Sequence, residues 1–312
     1  GNVLVTIAEE EGYFEDEGIK IEPVEATQNM DAMALLAAGK VDVVSNAGTS
    51  NPLQQIAQGV DLTIFGGHMV EGCMPVIAKA GTEWNGIESF IGESVAVNPS
   101  YFAFTGAVMD LGYDNPLDVV DWKVYSSYDD ALVAVQNGEV KYALMGTQNN
   151  YGIKELVDAG EIEIVSYQSE IMENYSCCRM VGQTKWVNDN PDTVKAIIRA
   201  LLRAQSWYEA NKEEAVSLHA KRIGQEDDYV AAYMMDDKHY FVNVDPLKNS
   251  VVRAWNILDK TGYLGDDCKI DIEDHINTEL YEEALAEATK SYGDEAPDFY
   301  EAQQKFFDEN DK

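Results

Sequence analysis

The chain has 312 residues, 46% of them hydrophobic, and carries 56 acidic against 22 basic side chains for a formal net charge of −34. That length suits two lobes with a sizeable core, while the charge repels a phosphate backbone and excludes nucleic acid as a partner. No apolar run reaches the roughly 20 residues of a membrane span, and the acidic excess reads as a solvated surface.

In chain order, the first pattern is a helix from about Val3 to Glu11, ended by Gly12-Tyr13. A strand follows over Ile19 to Val24, Thr27 opens a second helix, and Gly39 closes it before a short apolar strand, Val41 to Ser45. This plan then returns. Gly112-Tyr113 echoes Gly12-Tyr13, and the stretch from Asp130 to Lys141 echoes that from Asp31 to Asp42, with Gly138 in the place of Gly39. In the second copy the helix is Phe104 to Leu111, the strands are Trp122 to Tyr125 and Val140 to Met145, and Ser127 opens the helix between them. A glycine at the end of each helix suits a left-handed C′ position, and short continuous apolar strands suit parallel sheets covered on both faces. Two strand-helix-strand units at this spacing predict two α/β lobes.

The second copy has a further strand, Ser94 to Val97, ahead of its first helix, whereas the first copy has no counterpart. A parallel lobe without that strand leaves backbone donors and acceptors unpaired. The natural product is therefore expected to extend upstream, with any export signal there. Beyond the repeats, Val181 to Trp186 reads as a strand leaving the second lobe, and Asn190-Pro191 starts a long helix. Its buried stripe is Val194, Ile197, Ile198 and Leu201; Lys195, Arg199 and Arg203 line another face, as a solvated row paired with carboxylates or as a docking face. Further helices are expected at about 212–221, 227–237, 247–260, 277–290 and 298–308. The predicted division is 1–92 with 185–312, and 93–184, the chain crossing near Gly92 and Gly182. Four cysteines, Cys73, Cys177, Cys178 and Cys268, show no zinc spacing and read as structural thiols, with Cys73 and Cys268 a candidate disulfide.

In open parallel sheets ligands lie beyond the carboxyl ends of the strands, where helix N-termini present unpaired N–H groups. On that ground the first lobe offers Gln28, flanked by Thr27 and Asn29, then Asn46, Gly48 and Thr49, and His68 after Gly66-Gly67. The second offers Asn98, Ser100, Tyr101 and Phe102, the pair Ser126-Ser127, and Thr147, Gln148, Asn149 and Tyr151. These stretches hold amides, hydroxyls and rings but no lysine or arginine, which points to a small polar or aromatic ligand held by neutral hydrogen bonds. A compact anion held by helix N-termini stays open. Each residue has a plainer role as a cap or turn, and His68 one as a hydrogen-bonded structural residue. Arg179 is either a cationic contact or a solvent-facing strand residue. No G-x-S-x-G elbow, Walker loop, G-x-G-x-x-G or H-E-x-x-H occurs, so neither catalytic residues nor a metal or other cofactor is expected.

Val5 to Ile19, reading VTIAEEEGYFEDEGI, resembles the opening of substrate-binding proteins of ABC importers, in the NMT1-like branch that includes binders of aliphatic sulfonates, taurine, nitrate and the pyrimidine precursor of thiamine. Ala37 to Asp42, Ile56 to Gly59 and Asn190 to Ala196 match further pieces of that family, and Tyr175 to Arg179 resembles a Cys-Cys strand seen in some members, adding Tyr175 and Cys177 to the candidates. The resemblance covers nearly the whole chain. It implies an α/β, type II periplasmic-binding fold whose two lobes close on a ligand, with the first strand of the first lobe missing from the chain. It further implies an extracytoplasmic protein, in the periplasm or lipid-anchored through a tether upstream of residue 1, that delivers a small molecule to ABC permease subunits. An aromatic or heterocyclic ligand is favoured, with a sulfonate or nitrate as one alternative and an enzyme related to pyrimidine biosynthesis on the same fold as another.

Overall fold

Glycines end the repeated helices for a backbone reason: Gly39 and Gly138 stand at φ 65° and 77°, where a side chain would be strained. The computed structural model describes residues 2–24, 31–266 and 268–312. Strands β1 (Val43–Gly48) and β2 (Leu62–Gly67) flank β9 (Cys178–Gln183), which runs antiparallel to both and occupies the centre of a three-stranded sheet. Between them in the chain, β3 (Met69–Gly72) pairs with the late strand β10 (Tyr240–Val242). The second sheet has the order β6-β5-β7-β4-β8, built from β4 (Pro75–Lys79), β5 (Ser94–Ala96), β6 (Asp121–Trp122), β7 (Tyr142–Leu144) and β8 (Ile162–Tyr167). In it β5 lies parallel to β6 and β7, while β4 is antiparallel to β7 and β8.

The early helices are α1 (Val3–Glu10), α2 (Tyr13–Asp16), α3 (Ala32–Ala37), α4 (Ser50–Ala57), α5 (Phe102–Asp110), α6 (Tyr128–Asn137), α7 (Asn150–Asp158) and α8 (Gln168–Ile171). The later ones are α9 (Thr184–Asp189), α10 (Pro191–Ala210), α11 (Lys212–Ile223), α12 (Asp227–Met234), α13 (Lys248–Lys260), α14 (Glu279–Tyr292) and α15 (Pro297–Asn310). Val194, Ile198 and Leu201 of α10 are buried in one core with Val3, Leu4 and Ile7 of α1 and Leu280, Tyr281 and Leu285 of α14. Each such side chain removed from water contributes about 1.5–3 kcal/mol. A second core gathers Ile64, Val76, Phe90, Val95, Phe104 and Tyr142 with Val251 and Leu258 of α13. Helix α7 packs on α12 and α5 on α13.

Several expectations need correction. The chain changes sheets near residues 73–74 and 173–177, not near Gly92 and Gly182, because β4 pairs with the second repeat and β9 with the first. Gly92 is instead a left-handed turn at φ 76° before β5, and Gly182 lies inside β9. Periodicity marked the βαβ units and carried no sign of the antiparallel strands added to them. Ile19 to Val24 forms no strand and Val24 is 56% exposed. In the second copy β6 exists by pairing with β5; among the described residues nothing pairs with 19–24. Thr27 lies outside the described residues, and α3 starts later, its N–H groups capped by Asp31. Ser127 does cap α6, accepting from Asp130 N at 3.1 Å. Asn190 does not cap α10 with its side chain, which donates to Trp186 O, although Pro191 takes the first turn. The basic row is the carboxylate-paired one: Lys195 meets Glu283, Arg199 meets Glu17 and Glu287, and Arg203 meets Asp16 between the Tyr13 and Tyr292 rings. Cys73 and Cys268 are both free thiols and belong to different cores.

Candidate functional site

Where the chain passes between the sheets, backbone of an unusual kind gathers. Cys73, Asn174 and Ser176 adopt φ of 49°, 48° and 60°, left-handed values that cost a non-glycine residue about 1–3 kcal/mol and persist where packing over-determines them. Gly72 is the meeting point of these crossings. Its N–H donates to Tyr175 Oη at 2.7 Å and its carbonyl accepts from Thr147 Oγ1. A Cβ there would come within 2.8 Å of Cys177 Sγ and 3.2 Å of Tyr175 Oη, so only glycine fits between them. Asn150 Nδ2 donates to Cys73 O at 2.8 Å, tying the first crossing to the start of α7, and Asn174 N donates to Glu71 Oε1 at 3.0 Å, tying the second to β3.

The carboxyl edge of the first sheet supplies the next groups. Thr49, at the end of β1, donates through Oγ1 to Ser176 O, and its N–H donates to Cys177 O at 3.1 Å. His68 follows β2 directly, is fully buried, and its Nδ1 lies 3.1 Å from Asn46 Oδ1 on β1. Burial pushes the His68 ring well below the ordinary histidine range, so it is neutral, Nδ1–H donating to Asn46. The Cys178 thiol donates to Cys177 Sγ at 3.6 Å, which lowers the Cys177 thiol from its ordinary value, while burial raises Tyr175 well above its own.

The second sheet faces these groups with rings. Tyr101 Oη and Tyr128 Oη lie 3.4 Å apart, and the latter is raised by burial and then by Tyr101. Ser50 Oγ, one residue beyond Thr49, donates to Ser100 O at 2.6 Å and so closes one edge of the two sheets together. Asn98 Oδ1 accepts from Ser100 N and fixes that loop.

Asn46, Thr49, His68, Thr147, Tyr175 and Cys177 thus surround the crossings, with Ser100 and Tyr101 on the opposing loop. Phe102 points into the core, 5% exposed; Gln148 is exposed and Asn149 Nδ2 donates to Asp129. Tyr151 turns outward, its ring tilted against Tyr229 with centroids 6.1 Å apart, Gly48 is exposed, and Gln28 lies outside the described residues. Arg179 is not solvent-facing: it is fully buried, donating to Asp245 O and Met69 O at 2.7 and 2.8 Å. Sequence reading missed Gly72, Tyr128 and Ser176. Gly72 carried no signal beyond being a glycine, whereas Tyr128 sits one residue after the Ser127 cap and could have been read from it. Among the described residues no group of three or more His, Cys, Asp and Glu side chains could hold a metal ion, and no helix is long and apolar enough to cross a membrane.

A family model described as NMT1/THI5 like matches residues 3–215. The chain is similar to the 4-amino-5-hydroxymethyl-2-methylpyrimidine phosphate synthase of Schizosaccharomyces pombe, 24% identical over 216 residues that make up 63% of this chain and 59% of that protein. It is 26% identical to the protein of the same description from Candida albicans, over 69% of this chain and 65% of the relative. It therefore spans under two thirds of the length of either curated relative. Among solved structures it resembles the periplasmic aliphatic sulphonate binding protein SsuA of Escherichia coli, with a TM-score of 0.70 at 16% identity over 89% of both chains, which shows a shared fold.

Proposed function

The chain belongs to the NMT1/THI5-like family, and from that premise we propose that it is an extracytoplasmic solute-binding protein that captures one small molecule between two lobes and delivers it to an ABC permease. The observation that carries this reading is the ring of neutral groups around the strand crossings. Asn46, Thr49, His68, Tyr101, Thr147 and Tyr175 come from both sheets and from the segments linking them, where a rotation of one sheet against the other would open or close them. The lobes are the first sheet with the C-terminal helices, and the second sheet. An aromatic or heterocyclic solute fits this set best. A sulfonate or nitrate gains most from a bidentate guanidinium, and Arg179, the arginine beside the Cys-Cys pair, spends both Nη groups on backbone carbonyls. A thermal-shift panel of pyrimidines, aromatic acids, taurine and nitrate tests it: a ligand at 100 times its dissociation constant adds about 2.7 kcal/mol. Response to taurine or nitrate alone overturns the ligand class and leaves the binding role standing.

A second reading is an enzyme of pyrimidine biosynthesis on the same fold. The name of the yeast relatives supports it.

A further inference from the structure

His68 is held more tightly than a surface loop residue needs to be. Its N–H donates to Cys178 O at 3.2 Å and its carbonyl accepts from Asn243 N at 2.7 Å, so the backbone is pinned between β9 and the segment after β10. The ring is 0% exposed, and Asn46 fixes its orientation through Nδ1. The other ring nitrogen, Nε2, is buried and has no hydrogen-bond partner among the described residues. His239, by contrast, has both ring nitrogens engaged, by Asp236 and Glu170. Most buried polar atoms are paired; Nε2 shares its lack of a partner with a dozen other side-chain atoms among the described residues, Arg179 Nε and Asn243 Nδ2 included, and differs from them in its place beside the strand crossings.

The tautomer decides what that occupant is. With Nδ1–H donated to Asn46, a neutral imidazole presents a bare lone pair at Nε2. Burial disfavours the imidazolium, so the nitrogen does not convert to a donor near neutral pH. A lone pair accepts from N–H or O–H and is repelled by the lone pairs of an oxyanion.

We propose that His68 Nε2 is the acceptor a bound solute must satisfy, so that the site selects compounds carrying an N–H or O–H donor over donor-free oxyanions such as nitrate and alkanesulfonates. This rests on the solute-binding reading above and adds the chemistry of selection to it. The position follows from the fold, because His68 and Asn46 stand at the carboxyl edge of the sheet, beside the crossings on which Thr49 and Tyr175 converge.

The test uses the full chain and two probe sets: 4-aminopyrimidine, adenine and benzamide as donors; nitrate, methanesulfonate and benzenesulfonate as donor-free anions. Hits are titrated calorimetrically into wild type and His68→Phe, and against 4-(dimethylamino)pyrimidine as a donor-free match of the first probe. Long-range ¹H–¹⁵N spectra of histidine-labelled wild type report Nε2 directly and decide the matter alone if the variant does not fold. The expected result is binding by donor compounds, an Nε2 resonance that moves on binding, and a loss of about tenfold or more in His68→Phe or with the dimethylated probe. Tightest binding by a donor-free anion, or a donor compound that binds while Nε2 stays unmoved, overturns the proposal and leaves the solute-binding role intact. Silence from both probe sets counts against that role, and the proposal falls with it.

Discussion

Replacing Arg179 by methionine removes a buried cation from the strand that carries the Cys-Cys pair. Its Nη1 and Nη2 bonds leave Asp245 O and Met69 O without donors, and a buried group so orphaned costs about 1–3 kcal/mol. Asp311, also buried, loses a positive charge that favours its ionised form. Against this stands the relief of no longer burying a guanidinium, itself several kcal/mol. Methionine fills most of the volume, so no large cavity term enters. The net expectation is a loss of about 1–3 kcal/mol, the cost of the two stranded carbonyls being offset in part by that relief. Urea unfolding followed by circular dichroism measures it as a lower midpoint at unchanged slope. A loss below about 1 kcal/mol, or a gain, would falsify the view that this arginine anchors the joint rather than merely occupying it.

Other changes follow from the same contacts. Burial holds the Asp245 carboxyl well above its ordinary range, and its Oδ2 and that of Asp311 have no partner but a proton shared between the two acids. A folded pKa above the unfolded one means the native state binds more protons. That stabilisation is complete below about pH 4 and drains as pH rises through the folded value. Asp245→Asn is accordingly expected to flatten the stability–pH profile and to gain on wild type toward alkaline pH; parallel profiles contradict it. Gly67→Ala sets a Cβ 2.6 Å from Asp245 O and 2.7 Å from Arg179 Cζ, and is expected to destabilise by about 1–3 kcal/mol or more in thermal unfolding. Tyr175→Phe strands the Gly72 N–H and is expected to cost about 1–3 kcal/mol, measured in the same way; an unchanged midpoint would mean that another group reaches that N–H.

How far the sequence carried depends on the kind of element. The repeat located α5, α6, β5 and β7 because each combines a local period with a glycine or hydroxyl punctuation that needs no distant partner. β9 was displaced in the reading because an antiparallel strand inserted between β1 and β2 is defined by its neighbours, and its apolar residues look alike in either lobe. The stretch 19–24 failed for the converse reason: its pattern is strand-like, but a ladder needs a second strand. The strand-end positions of Thr49 and His68 were legible from topology alone. Tyr151 and Phe102 lie on the same loops yet turn outward or into the core, since loop position sets the backbone and the packing around it sets the side chain. Gly72 was invisible because its role is the space it leaves for Cys177 and Tyr175, more than one hundred residues away in the chain.

The central claim, reversible capture without turnover, meets its most direct test in one measurement: the protein is incubated at length with its best-binding solute, and the recovered compound is weighed by mass spectrometry beside a calorimetric stoichiometry. The account predicts one solute bound per chain and recovered with unchanged mass. An altered compound, at a yield equal to or above the amount of protein, would contradict it and transfer the case to the enzyme.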